Sequence, residues 1–494
     1  MSRRRRLWCG WALAAAAAAA LGLAPDRLDG AELPSVRDVL GDCAPGEGPD
    51  DALCGKIPVF EDRDRRSGRK IDLKVVVYPA LSRTPQPDPL FVLVGGPGAG
   101  AADLSEVMVG AFREIRTERD LVFVDQRGTG ESNGLECDFD AFDLDSVLGD
   151  AAVIDRLREC MEGYDADLRL YTTPVAMDDL DEVRVALGYS SVNLWGGSYG
   201  TRAALVYLRR HGEHVRSAVL DGAVPLALKL PLSFPEDAQR AIDLTIDACE
   251  GSAACRESFP EVRSKLEAVL RRLARRREPV RLKHPRTGRA LEFELRRTVF
   301  TGALHAALYS SQDAALVPML VEQAYDGDFA GVLAFGDAAD TQLSLGMFFS
   351  VVCAEDAPWF ENEERGAAPP EGFLDSSIAE RWKEVCAFWP RGAVPDNYRE
   401  PVRSDVPALV LSGELDPVTP PRWGDRVTEG LANALHVVVP GVAHGTSGSG
   451  CVPSLIEDFI AQGSADGLNA ECVANLRRAP FFVTPAGPRM EDGE

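Results

Sequence analysis

Histidine is scarce in this chain, six in 494 residues, and there is no Cys-x-x-Cys pair and no histidine cluster. Zinc- and iron-type sites need such ligand sets, so no metal and no other cofactor is expected. Positive charge is also short: 53 Lys and Arg against 77 Asp and Glu leave a net −24. That balance repels nucleic acid and anionic membrane surfaces, and neither is expected as a partner. Past residue 23 no apolar run is long enough to cross a bilayer, and no internal repeat is visible. What remains, 45% hydrophobic and 26% charged residues, is the composition of a globular protein. Its length allows one large domain with an insertion, or two to three smaller ones.

The N-terminus is layered. Arg3 to Arg6 precede an alanine-rich apolar stretch, Leu7 to Leu23, and polar residues follow from Pro25. This is the layout of an export signal over about residues 1–30, and the arginines with Leu7 and Trp8 loosely fit the twin-arginine route. Export to the periplasm or medium is therefore expected, with no stable membrane span once the signal is cleaved. Cysteine usage agrees. Cys9 lies in the signal, and the other ten fall into five sequential couples. The expected disulfides are Cys43–Cys54, Cys137–Cys160, Cys249–Cys255, Cys353–Cys386 and Cys451–Cys472.

Alternating apolar residues at Ile71, Leu73, Val75 and Val77 predict a strand. Continuous apolar runs at Leu90–Val94 and Leu121–Val124 predict strands buried on both faces, as in a parallel sheet between helices. Further strands are expected at 191–195, 217–220, 408–411 and 436–439. Helices are expected from Thr173, with Thr173 as cap, Pro174 in the first turn and Gly188 as stop, and from Thr201 to Arg210. Alternation of this kind means a doubly wound α/β sheet. Residues 226–403 break the rhythm with helical segments at Val262–Arg276 and Thr301–Ala324 and a hairpin turning at Pro285–Gly288. They read as a mainly helical cap inserted between core parts 31–225 and 404–494.

Within Gly196-Gly197-Ser198-Tyr199-Gly200, Ser198 sits between a predicted strand and a predicted helix. A serine on such a turn is pushed into the cleft at the sheet edge as a nucleophile, and the flanking glycines avoid collisions with neighbouring strand and helix. Of the six histidines only His444 follows the last strand, in a glycine-flanked loop, and it is the expected general base. Asp416 follows the penultimate strand and is the expected acid; Asp221 is the alternative position and Glu414 the neighbour to exclude. The oxyanion needs two N–H donors, expected from Tyr199 and from Gly96 in Gly95-Gly96-Pro97-Gly98.

Three of these stretches, Gly95–Gly98, Asp125–Ser132 (DQRGTGES) and Gly196–Gly200, resemble the prolyl-aminopeptidase family of α/β-hydrolases. From Ser412–Pro420 through Gly441 and His444 to Cys451 and Cys472, the C-terminal part resembles its exported, tripeptidyl-aminopeptidase (TAP-like) branch. The likeness spans most of the chain outside the signal and is loosest in the cap. Val94 departs from it, since many prolyl aminopeptidases carry histidine there. The resemblance implies an α/β-hydrolase fold and a serine exopeptidase acting at the free N-terminus of short peptides, the expected partner. Such an enzyme must bind an ammonium, for which Glu355 and its neighbour Asp356 are the candidates, with a Cys353 disulfide fixing the backbone beside them. An exported carboxylesterase or lipase-like hydrolase would use the same triad, and an inactive α/β-hydrolase serving as a binding module is a third reading.

Overall fold

The structure is a computed structural model and describes residues 34–44, 48–137, 151–283, 288, 290–338, 343–360, 372–375 and 377–489. The expected export signal and the expected Pro285–Thr287 turn lie outside the described residues. Nine strands form one sheet in the order β1-β2-β3-β5-β4-β6-β7-β10-β11. They are β1 (Gly41–Asp42), β2 (Leu53–Phe60), β3 (Lys70–Tyr78), β4 (Leu90–Leu93), β5 (Leu121–Val124), β6 (Val192–Gly197), β7 (Val215–Asp221), β10 (Ala408–Gly413) and β11 (Ala434–Val439). Strands β8 (Glu278–Lys283) and β9 (Ala290–Leu295) pair separately as the expected hairpin. From β5 to β11 every pairing is parallel, and β1 to β3 join antiparallel at one edge.

The continuous apolar runs are explained by two covered faces. Along β4, Phe91 and Leu93 enter one core cluster while Leu90 and Val92 enter the other, and β10 divides in the same way. Side chains alternate across a strand, so a run without polar residues requires helices on both sides. The first face is covered by the helices Thr173–Ala186, Tyr199–His211 and Leu345–Glu355, the second by helices including Val452–Gln462.

Two expectations need amendment. The region 226–403 divides: residues between Ala238 and Leu333 build a core of their own, but Leu345–Cys353, Trp382–Trp389 and Tyr398–Val402 pack into the main core. The long helix expected at Thr301–Ala324 is broken into Arg297–Ala307, Ser311–Ala314 and Val317–Tyr325. Ser310 caps the second piece by accepting the N–H of Asp313, and Pro318 opens the third.

All five expected disulfides are formed. Such bridges persist in oxidising, extracytoplasmic settings. Among the described residues no helix is long and apolar enough to cross a membrane.

Candidate active site

The parallel register brings the C-terminal ends of the central strands to one edge. Leu93 pairs with Gly196, Gly197 with Asp221, Leu411 with Asp221, and Gly413 with Val439. Gly96, Ser198, Asp416 and His444 each follow one of these ends, the usual crevice of an open α/β sheet.

Ser198 has φ 55° and ψ −124°, a backbone conformation that costs a non-glycine residue roughly 1–3 kcal/mol. It is held there by its own N–H donating to the Asp221 carbonyl at 2.9 Å, and by its carbonyl accepting from the Thr201 N–H and hydroxyl. The glycines around it are required by space. A Cβ on Gly196 would stand 2.4 Å from the Gly200 carbonyl oxygen, and one on Gly200 would stand 2.0 Å from that of Leu93. Gly95 lies against the serine, its would-be Cβ 3.0 Å from Ser198 Cβ, and Gly96 follows at φ 114°. The structure thus brings the Gly95–Gly98 loop and the start of the Tyr199–His211 helix to either side of Ser198.

His444 Nδ1 lies 2.8 Å from Asp416 Oδ2 and 3.1 Å from the Thr419 hydroxyl. Asp416 is buried, and its other oxygen accepts the N–H groups of Val418 and Thr419 at 2.9 and 2.7 Å. Burial alone would push the Asp416 carboxyl up; the imidazole beside it and the Thr419 donors hold it below the ordinary range. Burial also acts to lower the His444 pKa, but the Asp416 and Asp221 charges win and raise it. Gly222, directly after the residue that holds the Ser198 N–H, lies against the His444 side chain. A Cβ there would lie 3.3 Å from His444 Cε1.

The alternatives for the acid have other partners. Asp221 accepts from the N–H and hydroxyl groups of both Thr446 and Ser447, fixing the loop beyond His444. Glu414 accepts from the Gly441 N–H. The DQRGTGES stretch is also architectural: Asp125 accepts from the Ala102 and Glu131 N–H groups, and the buried Arg127 forms a two-pronged pair with Asp179.

Glu355 and Asp356 are brought together, but in a buried ion network. Glu355 accepts from the Thr173 N–H (2.7 Å) and hydroxyl (3.0 Å) and from Tyr398, while Asp356 pairs with Arg202 at 2.8 and 3.2 Å. Both carboxylates are thereby committed to the protein's own donors, which corrects their assignment to a substrate amine. Thr173 is likewise not the helix cap; Thr172 occupies that place, and Glu355 satisfies the first helical N–H instead. Glu355→Ala is expected to cost about 2–4 kcal/mol of stability by leaving the buried Thr173 N–H and Tyr398 hydroxyl without their acceptor. Urea unfolding checks this, and an unchanged midpoint would refute the network's structural role.

The histidine cluster not visible in the sequence does form: one atom each from Asp181, His211 and His214 lie within 4.8 Å of one another. Arg184 stands among them, 2.7 Å from Asp181 Oδ1 and 3.1 Å from His214 Nδ1, so a guanidinium already supplies the cation there.

Residues not anticipated include Thr419, Thr446 and Ser447, all close in sequence to Asp416 or His444, where small hydroxyl residues beside a glycine-rich loop were the available signal. His305, Tyr309 and Ser311 come from the cap and carried none. Burial pushes the His305 imidazole down to about 4, so it is neutral at ordinary pH.

Residues 88–247 match the family described as alpha/beta hydrolase fold, and 373–472 match the family described as TAP-like protein. The chain is 25% identical over 481 residues to Serine protease Hip1 of Mycobacterium tuberculosis, covering 86% of this chain and 88% of that one. It is 28% identical over 461 residues to Carboxylesterase B of the same species, covering 85% and 86%. With Tripeptidyl aminopeptidase of Streptomyces lividans it shares 30% over 193 residues, 36% of each chain. The chain is a serine hydrolase of the α/β-hydrolase family with a TAP-like C-terminal part, distantly homologous to serine protease Hip1 and tripeptidyl aminopeptidase.

Proposed function

We propose that this hydrolase is an exported exopeptidase that cleaves near the free N-terminus of short peptides through an acyl-enzyme. The observation that carries the chemistry is the His444–Asp416 pair at 2.8 Å beside a strained Ser198. In this reading Ser198 Oγ attacks the scissile carbonyl, His444 Nε2 takes its proton, and Asp416 holds the tautomer and stabilises the imidazolium. The N–H groups of Gly96 and Tyr199 receive the oxyanion. Protonated His444 then gives its proton to the leaving amine, and water repeats the sequence to release the acyl product.

The choice of a peptide rests on the two relatives named as peptidases and on a cap, residues 226–338 in this reading, whose segment at Tyr309 packs against His444. With Glu355 and Asp356 committed elsewhere, Glu136 is the acidic group we assign to the substrate ammonium. It is hydrogen-bonded by Ser344, whose N–H donates to the Gly98 carbonyl at 2.9 Å, beside the oxyanion loop. A carboxylesterase is the second reading, favoured by the relative of that name.

Initial rates on tripeptidyl amides, their N-acetylated forms and simple esters separate the two. The free peptides are expected to be cleaved at least about tenfold faster than the blocked ones, because a lost ion pair to the ammonium is worth on the order of 1.4 kcal/mol or more. Glu136→Gln should raise KM for free peptides only. Equal rates on free and blocked substrates, or rapid turnover confined to esters, would remove the exopeptidase.

A further inference from the structure

We infer that the break in the cap at Leu308–Ser310 is the element that positions the acid–base pair, with His305, Tyr309 and Ser311 as positioning residues. This rests on the roles proposed above for Ser198, Asp416 and His444. Three contacts cross from the cap to the two site loops. The His444 N–H donates to the Tyr309 carbonyl at 3.1 Å, and the neighbouring Ala443 N–H donates to the Ser311 hydroxyl at 2.9 Å. His305 also lies beside the backbone of Pro417, directly after Asp416; proline has no N–H, so it is the carbonyl that faces the imidazole. The Tyr309 ring also packs edge-on to the His444 imidazole, with centroids 5.2 Å apart.

The interruption of the helix makes these contacts available. In an unbroken helix the Tyr309 carbonyl would accept the N–H of Asp313, four residues on. Here that N–H turns to the Ser310 hydroxyl at 3.2 Å, which leaves the carbonyl free to hold His444. Ser311 is the first residue of the next helical piece, and its side chain points back to the same loop. The cap therefore does more than cover the cleft. Its edge at 305–311 is hydrogen-bonded to the His444 loop and lies against the loop that follows Asp416, so lifting that edge would release the His444 backbone. Substrate entry must accordingly leave this edge closed.

The test uses the full chain and two readouts: reaction of Ser198 with a fluorophosphonate, and deuterium exchange at the Ala443 and His444 amides. Ser311→Ala is expected to slow labelling and to lower kcat by roughly ten- to hundredfold, with KM within twofold, since a small misplacement of a catalytic group costs about that much. Exchange at 443–444 should quicken, and Ser311→Thr, which keeps the hydroxyl, should restore most of both. His305→Gln, which keeps a donor, should retain more activity than His305→Leu. Unchanged labelling and exchange in Ser311→Ala and His305→Leu would overturn the inference, as would kcat losses that merely track a fall in melting temperature. If wild-type Ser198 is not labelled at all, the proposed chemistry fails; faster exchange in the variants would then show a docking contact with no base to position, and the positioning role would fall with it.

Discussion

Ser198→Ala is expected to lower kcat by about 10⁴- to 10⁶-fold on peptide and ester alike, with the melting temperature within about two degrees of wild type. The size follows from the division of labour. Without the hydroxyl no acyl-enzyme forms, and what is left is the residual rate that an oxyanion hole and binding supply to attack by water. The stability forecast follows from the backbone. Alanine carries the same Cβ as serine, so the strain of φ 55° stays, and the Asp221 carbonyl and Thr201 donors still hold the turn. Ser198→Gly should differ in the opposite sense: equally inactive but slightly more stable, because glycine adopts positive φ freely. Steady-state kinetics with thermal unfolding of both variants checks the pair of outcomes. Activity retained within tenfold in Ser198→Ala would require another nucleophile.

The sheet and the candidate triad were legible in the sequence for the same reason. Runs such as Leu90–Val94 and Ala408–Leu411 advertise burial on both faces, and parallel order fixes which loops share an edge. Residues 416 and 444, which are 28 apart in the chain, are placed together by the pairing of β10 with β11. Strand β2 was missed because its pattern, Leu53-Cys54-Gly55-Lys56-Ile57-Pro58-Val59-Phe60, carries a glycine, a lysine and a proline. Its eight-residue antiparallel pairing with β3 supplies what local propensity withholds.

Glu355 shows a different limit. An acidic residue two places after a cysteine looks the same in sequence whether it faces substrate or a helix end. Only the packing of the Leu345–Glu355 helix against Thr173, Arg202 and Tyr398 decides. The cap break at Tyr309 was illegible for a related reason. Its hydrophobic spacing continues across Leu308–Ser310, while the interruption is made by the Ser310 cap and is stabilised by a loop more than a hundred residues later in the chain.

Asp416→Asn should be nearly as damaging as loss of the serine, about 10⁴-fold in kcat, with a changed pH profile. One oxygen at position 416 accepts two backbone N–H groups, from Val418 and Thr419, so the asparagine carbonyl will take that side. Its NH₂ then faces His444 Nδ1, which must become an acceptor, and the proton moves to Nε2 on the side of Ser198. The base thereby holds a proton where it should receive one. In the native enzyme His444 must be neutral to act, so activity should rise with pH through a midpoint above the ordinary imidazole value of 6.5. Burial would lower that midpoint, and the Asp416 and Asp221 charges raise it. Removing one of the two carboxylates therefore moves the acid limb to lower pH, but not by the full amount, because Asp221 remains. A kcat/KM profile from pH 5 to 9 for both proteins reads the height and the midpoint separately. A lowered plateau with an unmoved midpoint would mean that Asp416 orients His444 without setting its charge, and an unmoved plateau would remove Asp416 from the chemistry.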